Sequence, residues 1–172
     1  MGHRILVVCT ANVCRSPMVA AMLGHRLDPQ LFTIDSAGVR APRGRPMDPD
    51  SADQLRARGV PVPQRTAQQL TRDLVLGADL ALTATRAHRA DVLDLDPRAL
   101  RRTFTVLEFA ALAQLAETGG VDDIVRAAAG LRTQGPADTD LQDPIGRPPA
   151  VHAEVAERAG GAVTAIVAAF GG

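Results

Sequence analysis

The sequence predicts an α/β domain, a doubly wound four-stranded parallel sheet with helices on both faces, and three observations lead there. Short apolar runs alternate with stretches of helical periodicity ten or more residues long, a pattern that calls for parallel strands joined by right-handed crossovers. The first run, Ile5-Leu6-Val7-Val8, is apolar at every position, as in a strand buried on both faces. The length of 172 residues, 46% of them hydrophobic, is enough for one core. A chain of that size buries roughly 70% of the surface its unfolded form exposes and needs no metal or disulfide staple.

The elements follow in order. The first strand ends at Cys9. Ser16 is placed to cap a first helix with Pro17 at its first position, and Met18, Ala21, Met22 and Leu27 give its apolar stripe as far as Asp28-Pro29. A second strand covers residues 32–35 and a loop covers 36–46. Asp48-Pro49 supplies the cap and first-turn proline of a helix that ends at Gly59. Residues 79–83 form a third strand and 103–107 a fourth, with helices between and after them. Residues 121–131 have helical spacing, 132–142 with Gly135-Pro136 form a loop, and 150–169 form the last helix. No repeat or low-complexity linker interrupts the chain, so residues 1–172 are expected to form a single domain. Ligands of open α/β sheets bind beyond the carboxyl ends of the strands, where Cys9 stands.

Composition excludes several classes of function. Nineteen basic side chains balance nineteen acidic ones, whereas binding a nucleic-acid backbone needs a basic excess, so no nucleic-acid partner is expected. Every basic residue is Arg, which removes the lysine of a Walker-type phosphate loop and Schiff-base chemistry. With no Trp, no Tyr and four Phe, base-stacking platforms and aromatic cation cages cannot be built. No window approaches 18 uninterrupted apolar residues and the N-terminus lacks a signal-peptide layout, so a cytoplasmic protein without a membrane partner is expected. Cys9 and Cys14 are too few for a disulfide scaffold and lack the Cys-x-x-Cys spacing of a zinc site. His3, His25, His88 and His152 show no ligand spacing and are expected as surface or half-buried polar residues. No metal or cofactor is expected.

The chemistry concentrates between the first strand and first helix, in Cys9-Thr10-Ala11-Asn12-Val13-Cys14-Arg15-Ser16-Pro17. A cysteine and an arginine bracket five residues, and the stretch leads into a helix N-terminus whose unpaired amides carry partial positive charge. Successive loop amides can each donate to one oxygen of a tetrahedral anion, and the planar guanidinium of Arg15 can take two more. In such a field a thiol falls from about 8.5 into a range of roughly 3.5–7.5, so Cys9 is expected to face a bound phosphorus as a thiolate. Cys9 as an inert buried hydrophobe would leave Arg15, Ser16 and the strand-end placement as coincidence.

This loop resembles the signature of the low-molecular-weight protein tyrosine phosphatase family: Cys, five residues, Arg, Ser or Thr, Pro, directly after the first strand. The similarity extends to Asp35-Ser36-Ala37-Gly38, to residues 104–110 (FTVLEFA) and to Asp143-Pro144. It implies a flavodoxin-like strand order, a monomer, and a protein-tyrosine-phosphatase-like phosphomonoesterase that acts on a phosphorylated protein or small phosphate ester through a phosphocysteine intermediate. On that resemblance Cys9 attacks phosphorus while Arg15 and the amides of residues 10–14 stabilise the equatorial oxygens. Ser16 hydrogen-bonds the thiolate, Asn12 holds the unusual loop backbone with Ser36 as neighbour, and Asp143 protonates the leaving oxygen and then activates water. Asp-Pro occurs at 28, 48, 96 and 143, and is commonly turn or cap chemistry. Asp28 lies at the far end of the first helix, roughly 16 Å from the loop, and the residues at 48 and 96 fit a helix cap and a helix-end turn, so position favours Asp143. Cys14 has two open readings, plain packing or a protective disulfide with Cys9 under oxidant.

The sequence also departs from the family pattern. Members that act on phosphotyrosine wall the pocket with aromatic rings, but here those stretches hold residues 39–46 and Ile145. Aliphatic contact from Val13 and Ile145 must replace stacking, or the substrate is not an aryl phosphate. Val13 favours tyrosine, since a threonine at that position accompanies arginine phosphatases of the family. Arg40, Arg43 and Arg45 stand beside the expected pocket mouth, where a solvated loop is the default and a basic rim drawing anionic substrates the alternative. Arg65 stands where many members carry a loop-steadying histidine. Two other classes suit the same fold: a thiol-dependent arsenate reductase, although the downstream relay cysteines are missing, and a phosphate-binding module without turnover.

Overall fold

A computed structural model of the chain describes residues 2–116 and 119–171. Strands β1 (His3–Cys9), β2 (Phe32–Gly38), β3 (Leu80–Thr83) and β4 (Thr103–Thr105) form one parallel sheet in the order β2-β1-β3-β4. The helices among the described residues are α1 (Arg15–Arg26), α2 (Pro49–Ala57), α3 (Arg72–Gly77), α4 (Arg86–Leu95), α5 (Val106–Leu115), α6 (Val121–Gly130) and α7 (Pro149–Ala169). Alternation along β1 divides the core between the two faces of the sheet. Ile5, Val7 and Cys9 join Leu23 of α1, Leu55 of α2, Phe109 of α5 and Ile166 of α7. Leu6 and Val8 join Val75 of α3 and Val92 of α4. Burying each such aliphatic side chain is worth roughly 1.5–3 kcal/mol, so the loop leaving β1 starts from the best-anchored strand of the sheet. No helix among the described residues is long and apolar enough to cross a membrane.

Three boundaries differ from the sequence expectation, each for a physical reason. Helix α1 begins at Arg15, with Cys14 at the cap position and no side-chain cap. Ser16 therefore lies inside the first turn, where its hydroxyl has other partners. Strand β2 runs on through Ser36-Ala37-Gly38, which pair with Val7, Val8 and Cys9. Those three small residues carry little strand propensity, and the pairing is imposed by the site they pack beneath. Strand β4 stops at Thr105 because Thr105 and Glu108 form a capping box: the Thr105 hydroxyl accepts from the Glu108 amide at 3.1 Å and the Glu108 carboxylate accepts from the Thr105 amide at 3.2 Å. Residues 106–107 consequently open α5.

Glu108 does more than cap. Its buried carboxylate pairs with Arg89 at 3.0 Å and Arg132 at 3.2 Å, and the Arg132 guanidinium lies 4.0 Å above the Phe104 ring. This anchors the start of the long segment 132–148, which opens with a single 3-10 turn, Arg132–Gln134. Its middle is tied to the end of β3, where the Leu141 amide donates to the Ala84 carbonyl at 2.9 Å. Asp140 accepts from the Arg86 amide at 2.9 Å, and Arg158 of α7 donates to the Asp140 carbonyl at 3.2 Å. The polar segment thereby delivers Asp143 to the carboxyl end of the sheet.

Candidate active site

The loop between β1 and α1 turns its carbonyls outward. The carbonyls of Cys9, Thr10 and Val13 accept from the amides of Val39, Arg40 and Asp48 at 3.0, 2.9 and 2.8 Å, and that of Cys14 from Met18 at 3.2 Å. A planar trans peptide points its N–H opposite its C=O, so the amides of Thr10, Ala11, Cys14 and Arg15 face the interior of the loop. Among the described residues none of them has a hydrogen-bond acceptor. Asn12 makes the turn possible at φ 57°, a left-handed conformation that asparagine tolerates better than most residues. Its amide nitrogen donates to the hydroxyls of Ser16 at 2.8 Å and Ser36 at 2.9 Å, and its oxygen accepts from the Gln68 amide at 3.0 Å. Gly38 lies beneath, and a Cβ there would stand 2.5 Å from the Thr10 carbonyl oxygen. Only glycine allows this contact.

Cys9 and Arg15 are both buried within this ring. The sulfur of Cys9 lies 3.0 Å from the Ser16 hydroxyl, so Ser16 can donate to a thiolate. Arg15 is held by three groups: Nη1 donates to the Leu141 carbonyl at 3.0 Å, Nη2 to the Thr10 hydroxyl at 3.4 Å, and Nη2 lies 3.3 Å from Oδ2 of Asp143. Its Nε is buried with no partner among the described residues, a donor left for a ligand oxygen. The Asp143 side chain is 46% exposed, and its other oxygen accepts from the Ile145 amide at 3.2 Å. It stands at the edge of the cradle, open to solvent.

Two histidines expected as surface or half-buried residues are buried, His88 against Thr10 of the loop and His152 of α7 against Ser51 of α2. His88 connects to the cradle through Thr10, whose hydroxyl lies 2.8 Å from Nε2, while Nδ1 lies 2.9 Å from the Thr85 hydroxyl. The neutral ring thus bridges the Thr10 and Thr85 hydroxyls, one ring nitrogen donating and the other accepting. Burial, reinforced by the Arg15 guanidinium, pushes His88 down to about 4. The unfolded chain binds this proton near 6.5 and the folded chain only near 4. Stability contributed by His88 is complete above 6.5 and falls by roughly 3 kcal/mol as pH drops to 4. Denaturant unfolding at pH 7 and pH 4.5 will show a smaller acid loss in His88→Gln than in the parent.

The second buried histidine belongs to a cluster behind the loop. Cys14, Asp48 and His152 bring their ligating atoms within 4.8 Å of one another, near enough to hold a metal ion. Each already has another partner or state. Asp48 caps α2 by accepting from the amides of Asp50 and Ser51 at 3.0 and 3.2 Å, and His152 Nδ1 lies 2.9 Å from the Ser51 hydroxyl. Burial pushes the Cys14 thiol up to about 12, which keeps it protonated at neutral pH. Neither Cys9 nor Cys14 is in a disulfide.

The residues expected at the pocket rim divide. Arg40 is exposed, its amide bonded to the Thr10 carbonyl, and Ile145 is 38% exposed beside Asp143. Val13 is instead 2% exposed, in a small apolar cluster with Cys14 and Ala67 edged by Ala41, because residues 39–48 fold across it. Among the described residues Arg65 makes no hydrogen bond to the loop, and it pairs with Asp35. Gln68, through its backbone amide, takes the supporting position at Asn12. Sequence reasoning missed Gln68, Leu141, Thr85 and His88. Of these, Thr85 and His88 carried a usable signal, since they directly follow a strand whose carboxyl end adjoins Cys9.

Residues 4–158 match the family model described as low molecular weight phosphotyrosine protein phosphatase. The chain is 40% identical over 97 residues to the probable low molecular weight protein-tyrosine-phosphatase EpsP of Ralstonia nicotianae, an alignment covering 56% of this chain and 66% of that protein. It thus spans slightly less than two thirds of that relative. It is 34% identical over 131 residues to a protein-arginine-phosphatase of Geobacillus stearothermophilus, covering 74% of this chain and 87% of the relative. Among solved structures, the YwlE arginine phosphatase from Geobacillus stearothermophilus superposes with a TM-score of 0.77 at 26% identity, covering 96% of this chain and 91% of that one.

Proposed function

This chain belongs to the low molecular weight phosphotyrosine protein phosphatase family, and on that premise we propose that it is a cysteine-dependent phosphomonoesterase acting on phosphotyrosine in proteins. The reading is carried by one observation: the buried Cys9 sulfur stands in a ring of amides that have no acceptor among the described residues, beside an arginine whose Nε has no partner among them. In the first step a sulfur electron pair forms the S–P bond as the P–O ester bond breaks, and Asp143 gives its proton to the departing oxygen. Arg15 and the inward amides hold the three equatorial oxygens as charge builds on them. In the second step Asp143 takes a proton from water, water oxygen bonds to phosphorus, and the S–P bond breaks to return the thiolate, which Ser16 stabilises by donation. No metal enters these steps. A reducing cytoplasm suits a free nucleophilic thiol, and the enzyme is proposed to act as a monomer.

Val13 supports tyrosine over arginine through the family pattern, in which arginine phosphatases carry a threonine at this position, and its buried side chain does not line the mouth. Phosphoarginine is the second reading, favoured by the 87% coverage of the protein-arginine-phosphatase relative and by a mouth without aromatic rings. Parallel assays of a phosphotyrosine peptide, phosphoarginine, a sugar phosphate and arsenate, with and without thiol reductant, separate the classes. The expected result is a kcat/KM for phosphotyrosine at least about tenfold above phosphoarginine. The reverse ratio assigns the enzyme to phosphoarginine. Reductant-dependent arsenate turnover assigns it to arsenate reduction, and anion binding without hydrolysis makes it a binding module.

A further inference from the structure

We propose that the mouth of this site is a carboxylate-reading surface, in which Arg40, Arg43, Arg45 and Arg147 select protein segments with acidic residues flanking the phosphorylated side chain. The proposal rests on the phosphatase reading above and names its substrate class. Both loops that carry these arginines adjoin the cradle. The segment 39–48 leaves β2 with the Arg40 amide on the Thr10 carbonyl and returns with the Asp48 amide on the Val13 carbonyl. Arg147 lies in the turn that follows Asp143, closed by its amide on the Pro144 carbonyl at 3.0 Å. All four arginines are exposed.

Their pairing sets them apart from the other arginines of the chain. Among the described residues, twelve of the nineteen arginines lie within ion-pair distance of a carboxylate. Arg26 and Arg72 donate to Thr164 and to the Leu95 carbonyl. Five guanidiniums have no partner among the described residues, and four of those are the arginines at the mouth. Residues 39–47 and 144–148 contain no Asp or Glu, so in a chain of zero net charge the positive excess gathers around the pocket. Unpaired like charges on adjoining loops raise the local potential, which an arriving anion relieves.

The missing rings point the same way. Residues 39–47 and 144–148 hold no aromatic ring to stack on a substrate, so affinity beyond the phosphate must come from the other side chains present, and a guanidinium fork fits a carboxylate through two parallel bonds. The absence of stacking rings also disfavours nucleic acid. An acidic peptide is the ligand these features fit.

The test is kcat/KM for three phosphotyrosine peptides of one length, flanked by Asp/Glu, by Gly/Ser or by Arg, on the parent enzyme and on the triple variant Arg43→Glu, Arg45→Glu, Arg147→Glu. The parent is expected to prefer the acidic over the neutral peptide about tenfold at low salt, the preference vanishing near about 0.5 M salt. In the variant the preference inverts toward the basic peptide. Because the readout is a ratio within each enzyme, a general loss of activity in the variant does not obscure it. Equal rates on all three peptides in the parent, or an acidic preference that survives charge reversal, overturn the proposal and leave the phosphatase reading standing. No hydrolysis of any peptide brings down both. Vesicles of anionic lipid bound by the parent and not by the variant, without a peptide preference, assign the rim to a membrane surface and also overturn it.

Discussion

Replacing Cys9 by Ser is expected to reduce hydrolysis of p-nitrophenyl phosphate by a factor on the order of 10^5 or more, with the fold intact. A serine hydroxyl fits the space of the thiol and can still meet Ser16, which lies 3.0 Å from the present sulfur. What is lost is the proposed nucleophile, since an alcohol gives almost no anion at neutral pH and oxygen attacks phosphorus poorly without one. The amides of the loop and Arg15 remain, so inorganic phosphate or vanadate should bind the variant within about tenfold of the parent. A calorimetric titration of phosphate beside the rate assay separates a lost nucleophile from a lost site. If the variant binds phosphate and retains more than about 1% of the activity, sulfur is not the attacking atom.

Replacing Asp143 by Ala is expected to slow hydrolysis of phenyl and alkyl phosphates about 10²–10³-fold, and of p-nitrophenyl phosphate much less. The difference arises because nitrophenolate leaves readily as an anion, whereas a poorer leaving group needs the proton that Asp143 is proposed to supply. Arg15 keeps its bonds to Leu141 and Thr10, so the cradle should survive loss of the ion pair. Plotting log kcat/KM against the leaving-group pKa should give a steeper line for the variant than for the parent. Parallel lines would show that Asp143 acts only through its pairing with Arg15. With p-nitrophenyl phosphate, whose first step needs no acid, loss of the same residue from the second step should let the phosphorylated cysteine accumulate, visible as a burst of nitrophenol before the steady state.

What the sequence revealed and what it concealed differ in kind. β1 was legible because four apolar residues in a row admit one environment, and the loop after it because Cys9, Arg15 and a helix start at fixed spacing have a shared electrostatic logic. The end of β2 was hidden: Ser36-Ala37-Gly38 looks like a turn until Cys9 and Gln69 lie on either side of it. β4 was overextended because the strand-like run 103–107 contains a capping box at Thr105 and Glu108, and hydrogen bonding at a helix start outweighed apolar continuity. The long-range supports could not be read at all. The contacts of Arg15 with Leu141 and of Asn12 with Gln68 span distant positions in the chain, and single-sequence patterns carry no pairing information at that range.

Gly38 bears on when the catalytic geometry is made. Its amide donates to the Gln68 carbonyl at 3.0 Å, its carbonyl accepts from the Leu70 amide at 2.8 Å, and its bare Cα sits directly against the loop backbone. The sheet margin thus acts as a mould into which the cradle sets as the chain condenses, before any substrate is present. Orienting the dipoles is accomplished during folding, and none of that work remains for the moment of bond breaking.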